Sequence, residues 1–190
     1  PFESDYYRQA GLTATLITHP LLASCVPQPM NHALLKRYGL DHRRPILCLL
    51  PGSRRQEIKR MMPLYLATVC QLRQWLPGLQ VFLLHTAVVE AQLLQPWAQA
   101  FIEHRVAYVH ADLATGLSCA TAVLAMSGTV TLEVALLEKP MTIACCTHPF
   151  NYWLAKKWVR VPYLGLCNLV ARADIVPEFL QAQATFMALA

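Results

Sequence analysis

The sequence has little charge, no long apolar run and none of the motifs that mark several common classes of protein. Asp, Glu, Lys and Arg make up only 14% of its 190 residues while hydrophobic residues make up 55%, a composition that excludes disorder and predicts a compact, heavily buried fold. No uninterrupted apolar run reaches the roughly 18–20 residues that span a bilayer. The net charge of +5 suits anionic ligands or an acidic membrane surface, and it is too small to indicate nucleic acid binding.

Motifs for metal, disulfide and hydrolase chemistry are also missing. The seven cysteines form no C-x-x-C pair, and their scatter through apolar segments is typical of reduced, buried thiols. No histidine pattern resembles a zinc site, and His85, His110 and His148 lie where strands are predicted to end, a position at which a single histidine is mostly structural. Neither G-x-S-x-G nor G-x-x-x-x-G-K-[ST] occurs, which argues against serine hydrolases and P-loop proteins. We expect no metal and no cofactor.

Residues 1–43 show few signals of regular secondary structure. The chain starts at Pro1 and shows no basic-then-apolar leader, so we interpret it as a piece of a longer protein. Residues 14–18 are predicted to form a strand, and the prolines within 20–29 then interrupt regular structure. Residues 1–43 are therefore predicted to be the tail of one domain and a linker, with a short helix capped by Asn31.

Residues 44–190 alternate short apolar runs with helical patterns. This alternation predicts a parallel sheet whose strands are covered on both faces. The predicted fold class is α/β, a Rossmann-like parallel sheet with helices on both faces, and the domain over 44–190 is expected to be incomplete. The predicted strands cover residues 46–50, 79–84, 106–109, 122–126 and 141–145, and the predicted helices include 150–159 and a last helix that opens at Pro177 after an irregular stretch at 164–170.

Two strand–turn–helix corners present glycine and hydroxyl groups where a helix begins. In a doubly wound sheet, both corners open on the crevice at the carboxyl ends of the strands. The first corner is Pro51-Gly52-Ser53-Arg54, and Ser53 with Gln56 fits an S-x-x-Q capping box. The Arg54 guanidinium would offer a fork of donors to a diphosphate. The alternative is a solvated arginine, although the helix dipole disfavours a cation at this end.

The second corner runs from Ser127 to Glu133. A strand that ends at Met126 and turns directly into a helix leaves backbone N–H groups free to bind a phosphate. Thr129 and Glu133 share one helix face because they are four residues apart. A hydroxyl, free amides and a carboxylate suit the phosphates and ribose of a nucleotide. The alternative is a glutamate that the helix dipole favours in the first turn.

Two later stretches carry basic or polar groups. Residues 150–160 mix aromatic and basic side chains, which would either lie against an anionic membrane surface or bury the aromatic rings in the core and leave the cations solvated. Asn168, Arg172 and Glu178 lie in a stretch of low periodicity, where polar side chains would form a binding edge.

Together these segments resemble the lipid-A-disaccharide synthases, bacterial glycosyltransferases with two Rossmann-like domains in the GT-B arrangement. The matching stretches are Leu50 to Arg54 followed by Glu57, and Ser127 to Glu133. A third, discontinuous stretch from Asn151 to Glu178 is specific to this family rather than to sugar transferases in general. The resemblance covers nearly the whole chain and implies that residues 44–190 belong to the nucleotide-binding half of the GT-B fold.

By that resemblance, the enzyme is a hexosyltransferase that joins UDP-2,3-diacylglucosamine to 2,3-diacylglucosamine 1-phosphate through a β-1,6 bond and releases UDP. The resemblance further implies a peripheral location on the cytoplasmic face of a Gram-negative inner membrane, no nucleic acid partner and a full-length protein that is able to form a homodimer. Arg54 would stabilise the departing UDP. The donor-binding residues that it implies are Gly52, Ser53, Ser127, Gly128, Thr129, Glu133 and Asn168, with Arg172 and Glu178 as further candidates.

The sequence departs from the family pattern in two respects. An arginine that the family has after Gly or Asp is displaced, since Arg172 here precedes Ala173. Most of the first domain, with the carboxylate that activates the acceptor hydroxyl, and the family's C-terminal segment are missing, so the 190 residues alone are expected to bind UDP weakly and to be inactive. Rival interpretations are a UDP-N-acetylglucosamine 2-epimerase or another GT-B enzyme, and a non-catalytic nucleotide-sugar-binding domain.

Overall fold

The structure, a computed structural model, describes residues 2–15, 20–147 and 162–190. The predicted strand over 14–18 lies mostly outside these ranges, and the predicted helix over 150–159 and His148 lie wholly outside them. Within the described ranges, no helix combines the length and the hydrophobicity that crossing a bilayer requires.

Within the described residues, parallel strands form a six-stranded sheet in the order β3-β2-β1-β4-β5-β6. The chain builds outward from β1 to β3, returns to the middle and then builds in the opposite direction from β4 to β6. The strand order therefore reverses between β1 and β4, the place where open α/β sheets form their ligand crevice. The strands are β1 Ile46–Leu50, β2 Gln80–His85, β3 Val106–His110, β4 Ala122–Met126, β5 Met141–Cys145 and β6 Glu178–Leu180.

Helices connect the strands. In the described part of the chain they are α1 Phe2–Gln9, α2 Leu21–Ser24, α3 His32–Arg37, α4 Arg55–Trp75, α5 Ala91–Leu94, α6 Ala98–Glu103, α7 Leu113–Ser118, α8 Thr129–Leu136, α9 Leu166–Ala171 and α10 Phe186–Leu189. The 3₁₀ helices Gln95–Trp97 and Gln181–Gln183 lie between α5 and α6 and directly after β6.

The central strand β1 shows why both faces of the sheet are covered. All five of its residues are buried, and alternate side chains point to opposite faces. Leu47 and Leu49 pack in one apolar cluster with α4, whereas Ile46, Cys48 and Leu50 pack in a second cluster with α3, α7 and α8. The predicted fold class, a Rossmann-like parallel sheet with helices on both faces, is thereby confirmed.

Two predictions for the C-terminal part are wrong. Residues 164–170, predicted to be irregular, contain most of α9, and the helix predicted to open at Pro177 is replaced by the edge strand β6. The Ile143 N–H donates to the Pro177 carbonyl at 2.9 Å, which begins the parallel pairing of β5 with β6. Proline lacks an N–H but keeps its carbonyl, so it is tolerated at the start of an edge strand as well as at the first position of a helix. The local sequence does not distinguish the two.

The helix that follows the first corner continues without a break past an internal proline. The 21 residues from Arg55 to Trp75 form one continuous helix with Pro63 inside it. Burial of one face of this helix against the sheet offsets the local cost of the proline, because most helical stability in proteins comes from such packing.

Part of the segment predicted to be a linker packs on the sheet domain. Asn31 caps α3, as predicted, by accepting the Leu34 N–H at 2.9 Å. Leu35 of α3 is buried in the same apolar cluster as β1. Asp41 exchanges two hydrogen bonds with Gln80 at the start of β2, at 2.7 and 2.8 Å. These contacts tie the residues from Asn31 onward to the domain that follows them.

Candidate functional site

The two glycine-bearing corners follow the two strands at which the strand order reverses. β1 and β4 are paired, with Leu50 opposite Ala125. A Cβ atom added to Gly52 would lie 2.9 Å from the Met126 sulfur at the end of β4, so the first corner touches the beginning of the second. The structure therefore brings the two predicted corners together at the carboxyl edge of the sheet.

The first corner is built around the carboxylate of Glu57. Gly52 has φ +101°, a conformation that favours glycine. A Cβ atom there would also lie 2.6 Å from Glu57 Oε2. That oxygen accepts the N–H groups of Ser53 and Arg54 at 3.0 and 3.1 Å. The corner thus depends on glycine twice, for its backbone conformation and for the close approach of Glu57.

The capping box predicted for this corner is wrong by one residue. The helix is capped at Arg54 instead of Ser53, and Glu57 instead of Gln56 returns its side chain to the cap N–H. A carboxylate accepts several N–H groups at once and is favoured by the positive end of the helix dipole, which explains why Glu57 takes this position. Sequence reasoning missed Glu57 as a site residue, although its spacing of three from Arg54 carried the signal.

The side chain of Arg54 is held at one point and is otherwise largely exposed. Its Nη1 donates to Glu57 Oε1 at 2.9 Å, while the side chain remains 83% exposed and that of Glu57 only 19% exposed. The other guanidinium N–H groups donate to no acceptor in the part of the chain that the structure describes. Arg54 is therefore a tethered cation that presents most of its donors outward from the corner.

The second corner presents backbone N–H groups at the start of α8. Gly128 caps α8, and its carbonyl accepts both the N–H and the hydroxyl of Thr131, at 3.1 and 2.8 Å. The N–H groups of Gly128, Thr129 and Val130 donate to no described acceptor, and the first two residues are exposed. Exposed, unpaired N–H groups at a helix start are the common anion-binding arrangement of this fold.

Glu133 lies one turn further along α8, on the face that carries Thr129. It is partly buried, and its burial raises the pKa of the carboxyl group because loss of water disfavours the charged form. Its carboxylate has no hydrogen bond or ion pair with the described residues. A carboxylate that is partly desolvated and unpaired is poised to accept hydrogen bonds from a ligand.

A third loop, residues 164–166, braces the second corner. The Ser127 hydroxyl donates to the Leu164 carbonyl at 2.8 Å, and the Leu166 N–H donates to the Thr131 hydroxyl at 3.0 Å. Glu178 of β6 accepts the N–H groups of Leu164 and Gly165, both at 2.9 Å. Glu178 therefore fixes the loop on which the corner rests.

Asn168 is buried behind this loop with all of its hydrogen-bonding groups in use. Its amide donates to the Val176 carbonyl and to Glu178, both at 2.8 Å. Its oxygen accepts the N–H groups of Ile175 and Val176 at 3.1 and 3.0 Å. With 0% of its surface exposed, Asn168 is linked to the loop that braces the second corner through its bond to Glu178. Arg172 is an exposed residue that ends α9 with φ +54°.

Cys145 lies at the end of β5 and is partly buried. Burial, with smaller contributions from Cys146, Glu57 and Glu178, raises the pKa of the Cys145 thiol to about 11. The thiol stays protonated at neutral pH, so it is a poor nucleophile.

His85 and His110 form a separate hydrogen-bonded pair at the ends of β2 and β3. His85 Nε2 lies 2.6 Å from the Val89 carbonyl oxygen, which only accepts, so this nitrogen carries the proton. His85 Nδ1 then accepts a hydrogen bond from His110 Nδ1 at 3.2 Å. Both rings have partners within the protein, in keeping with the structural role predicted for them.

Comparison with known proteins gives matches along the whole chain. The sequence profile described as lipid-A-disaccharide synthetase matches residues 1–190. Similar proteins include the lipid-A-disaccharide synthases of Geobacter metallireducens, 36% identical over 97% of this chain and 48% of that protein, and of Chromobacterium violaceum, 37% identical over 97% and 48%. The enzyme of Coxiella burnetii is 32% identical over 100% of this chain and 49% of its own length.

A solved structure supports the fold class. The E. coli ADP-heptose LPS heptosyltransferase II matches with a TM-score of 0.52 and 11% identity, covering 93% of this chain and 51% of that one. At this identity, the likeness concerns the fold alone. The chain spans about half the length of the curated relatives that it matches. Since the family profile extends over all of its residues, this chain belongs to the lipid-A-disaccharide synthetase family.

Proposed function

We propose that this chain supplies the donor-nucleotide domain of a glycosyltransferase in lipid A biosynthesis. The full-length enzyme joins UDP-2,3-diacylglucosamine to 2,3-diacylglucosamine 1-phosphate, giving the β-1,6-linked disaccharide 1-phosphate and UDP. One observation supports the proposal: a tethered arginine, and N–H groups and a carboxylate without partners among the described residues, lie on the segments that follow β1 and β4, the two strands at which the strand order reverses. Membership of the family supports this reaction over the 2-epimerase alternative.

Each group at the two corners has a place in donor binding. The N–H groups of Gly128 and Thr129 bind the diphosphate, because they lie at the positive end of α8 and have no described acceptor. Ser127 orients this corner and Glu133 accepts the ribose hydroxyls. The N–H of Ser53 is occupied by Glu57, so Gly52 and Ser53 contribute by shaping the corner that carries Arg54.

When the bond between the sugar and the diphosphate breaks, negative charge develops on the diphosphate oxygen, and Arg54 stabilises it. The 6-hydroxyl of the acceptor attacks C1 of the donor sugar, the bond from C1 to the diphosphate oxygen breaks, and UDP departs with the electron pair. A guanidinium beside that oxygen gains interaction energy as the bond breaks, which lowers the barrier rather than only the dissociation constant. The proton of the acceptor hydroxyl passes to a general base outside these 190 residues.

The remaining parts of the proposal concern the whole protein. Residues 44–190 form the nucleotide domain, and residues 1–43 lead into it from the domain that binds the acceptor. The acylated substrates place the enzyme peripherally on the cytoplasmic face of the inner membrane of a Gram-negative bacterium, where the full-length chain forms a homodimer. The net charge of +5 favours such a surface through the attraction of basic residues to anionic lipids.

The reaction is tested with purified full-length protein and radiolabelled lipid-linked substrates. We expect a labelled disaccharide 1-phosphate and one UDP for each disaccharide. Release of a free sugar, or epimerisation of UDP-N-acetylglucosamine, would contradict the proposed activity. UDP binding without turnover of either substrate would favour a non-catalytic nucleotide-binding protein.

Replacing Glu133 with glutamine is expected to change ligand affinity and stability in opposite directions. A carboxylate whose pKa is raised by burial destabilises the fold once the pH exceeds its unfolded pKa. Glutamine removes that penalty, so the unfolding midpoint at pH 7 should rise. The affinity for UDP should fall about tenfold or more, because a hydrogen bond to a charged acceptor contributes roughly 1.5–3 kcal/mol.

Calorimetric titration with UDP and thermal unfolding at pH 7 check this expectation. The matched control is Glu103→Gln on the exposed end of α6, where Glu103 bonds only Gln99 at 3.0 Å among the described residues. The control should leave both quantities unchanged. If Glu133→Gln left the affinity for UDP unaltered, Glu133 would not bind the ribose.

A further inference from the structure

Glu57 makes more contacts than a helix cap requires. A cap at this position needs one oxygen for the backbone N–H groups of the first turn. Here Oε2 alone accepts both of those N–H groups, from Ser53 and Arg54. Oε1 is left to bind the guanidinium of Arg54 at 2.9 Å. The carboxylate therefore fixes the backbone and the side chain of the same arginine.

The surroundings hold the carboxylate itself in place. Its side chain is only 19% exposed, and the missing side chain of Gly52 leaves the space in which Oε2 sits. The ion pair with Arg54 is thus unlike an ordinary exposed pair of two mobile side chains, which contributes about 0–1 kcal/mol and sets no geometry. Besides the ion pair, two backbone hydrogen bonds fix the Glu57 carboxylate, whereas the Arg54 guanidinium has no further acceptor among the described residues.

The neighbours of the Arg54–Glu57 ion pair show how close it lies to the second corner. A Cβ atom on Gly52 would lie 2.6 Å from Glu57 Oε2 and 2.9 Å from the Met126 sulfur at the end of β4. β4 leads directly into the second corner, whose first N–H groups have no acceptor among the described residues. The carboxylate that holds Arg54 therefore lies close to the start of the second corner.

We propose that Glu57 is a positioning residue that aims the Arg54 guanidinium at the diphosphate of the sugar donor. This inference rests on the proposed function, because it assigns Glu57 to the same donor site. One N–H of Arg54 stays on Glu57, and the remaining donors of the fork bind the phosphate oxygens as the bond to the sugar breaks. Glu57 touches neither substrate nor reacting atom, so it acts through Arg54 alone.

The test is a double-mutant cycle in the full-length enzyme with the substrates named above. In the wild-type background, Glu57→Gln should lower kcat about 10- to 100-fold, the loss typical of a catalytic group displaced by about 1 Å, while KM for the donor changes less than about threefold. In the Arg54→Ala background, the same substitution should change kcat less than about twofold. The loss of the helix cap is common to both backgrounds and cancels in the cycle.

Two further variants distinguish an effect on folding from an effect on the mechanism. Glu57→Asp keeps the charge but shortens the reach by one methylene, so it should lower kcat while retaining more thermal stability than Glu57→Gln. Glu103→Gln, the same chemical change outside the site, should leave kcat unaltered.

Three outcomes separate the possibilities. An equal loss of kcat from Glu57→Gln in both backgrounds would overturn the positioning role and leave a helix cap. Full activity of Glu57→Gln beside an impaired Arg54→Ala would overturn the role of Glu57 and leave the proposed function intact. Full activity of Arg54→Ala would overturn the proposed role of Arg54 itself.

Discussion

Arg54→Ala in the full-length protein is expected to lower kcat roughly ten- to more than a hundred-fold while it changes UDP affinity far less. The expected loss corresponds to one charge-assisted hydrogen bond of about 1.5–3 kcal/mol that strengthens as UDP departs. Because Arg54 is 83% exposed, its removal leaves no cavity and the unfolding midpoint should barely move. Steady-state kinetics with both lipid substrates, together with titration of UDP, provide the measurement.

Two neighbouring substitutions make the Arg54 result specific. Arg55→Ala removes another exposed cation from the adjacent position and should leave kcat within about twofold, since surface substitutions rarely matter. Arg54→Lys keeps the charge but loses the planar fork, so it should recover only part of the activity. Equal activity of Arg54→Ala and Arg55→Ala would show that the first corner plays no part in turnover, as the non-catalytic interpretation requires.

Asn168→Ala is expected to reduce the free energy of unfolding by about 3–5 kcal/mol, the largest stability effect that we anticipate. The substitution deletes four hydrogen bonds at a fully buried residue. It removes the partner of both the N–H and the carbonyl of the partly buried Val176, and each buried, unsatisfied group costs about 1–3 kcal/mol. Equilibrium urea unfolding of the protein, followed by circular dichroism, measures the loss.

Asn31→Ala provides a matched comparison for this stability effect. Asn31 accepts one N–H at the start of α3, and loss of such a cap costs about 1 kcal/mol. If Asn168→Ala destabilised the protein no more than Asn31→Ala, then the buried network would not support the loop as described. In the full-length enzyme, Asn168→Ala should also weaken UDP binding, because Glu178 and the loop that holds Ser127 lose their brace.

The strands and corners around β1 and β4 were predictable because their signals are local. A buried strand such as Ile46–Leu50 shows itself as an unbroken apolar run, and its helix shows itself by periodic apolar residues. Glycine and hydroxyl groups between them mark a helix start. Arg54, Ser127, Gly128, Thr129 and Glu133 were all identified as candidates from these local patterns.

The roles of Glu57, Asn168 and Glu178 were not predictable in the same way. Gln56 and Glu57 are both able to return a side chain to the helix start, and only the close approach of Gly52 to a carboxylate decides between them. Asn168 was predicted to bind the donor, but its amide meets Val176 and Glu178 within the protein. A list of polar residues in a loop does not reveal which of them are already satisfied.

By itself, the sequence determined the alternation of strands and helices, the two glycine corners and the family, because periodicity, turn chemistry and motif are properties of neighbouring residues. Tertiary structure alone decided that Pro177 opens a strand and that Glu178 reaches Leu164, fourteen positions earlier. Those contacts form only when β6 aligns with β5, and the free energy of that pairing depends on hydrogen bonds between segments far apart in the chain.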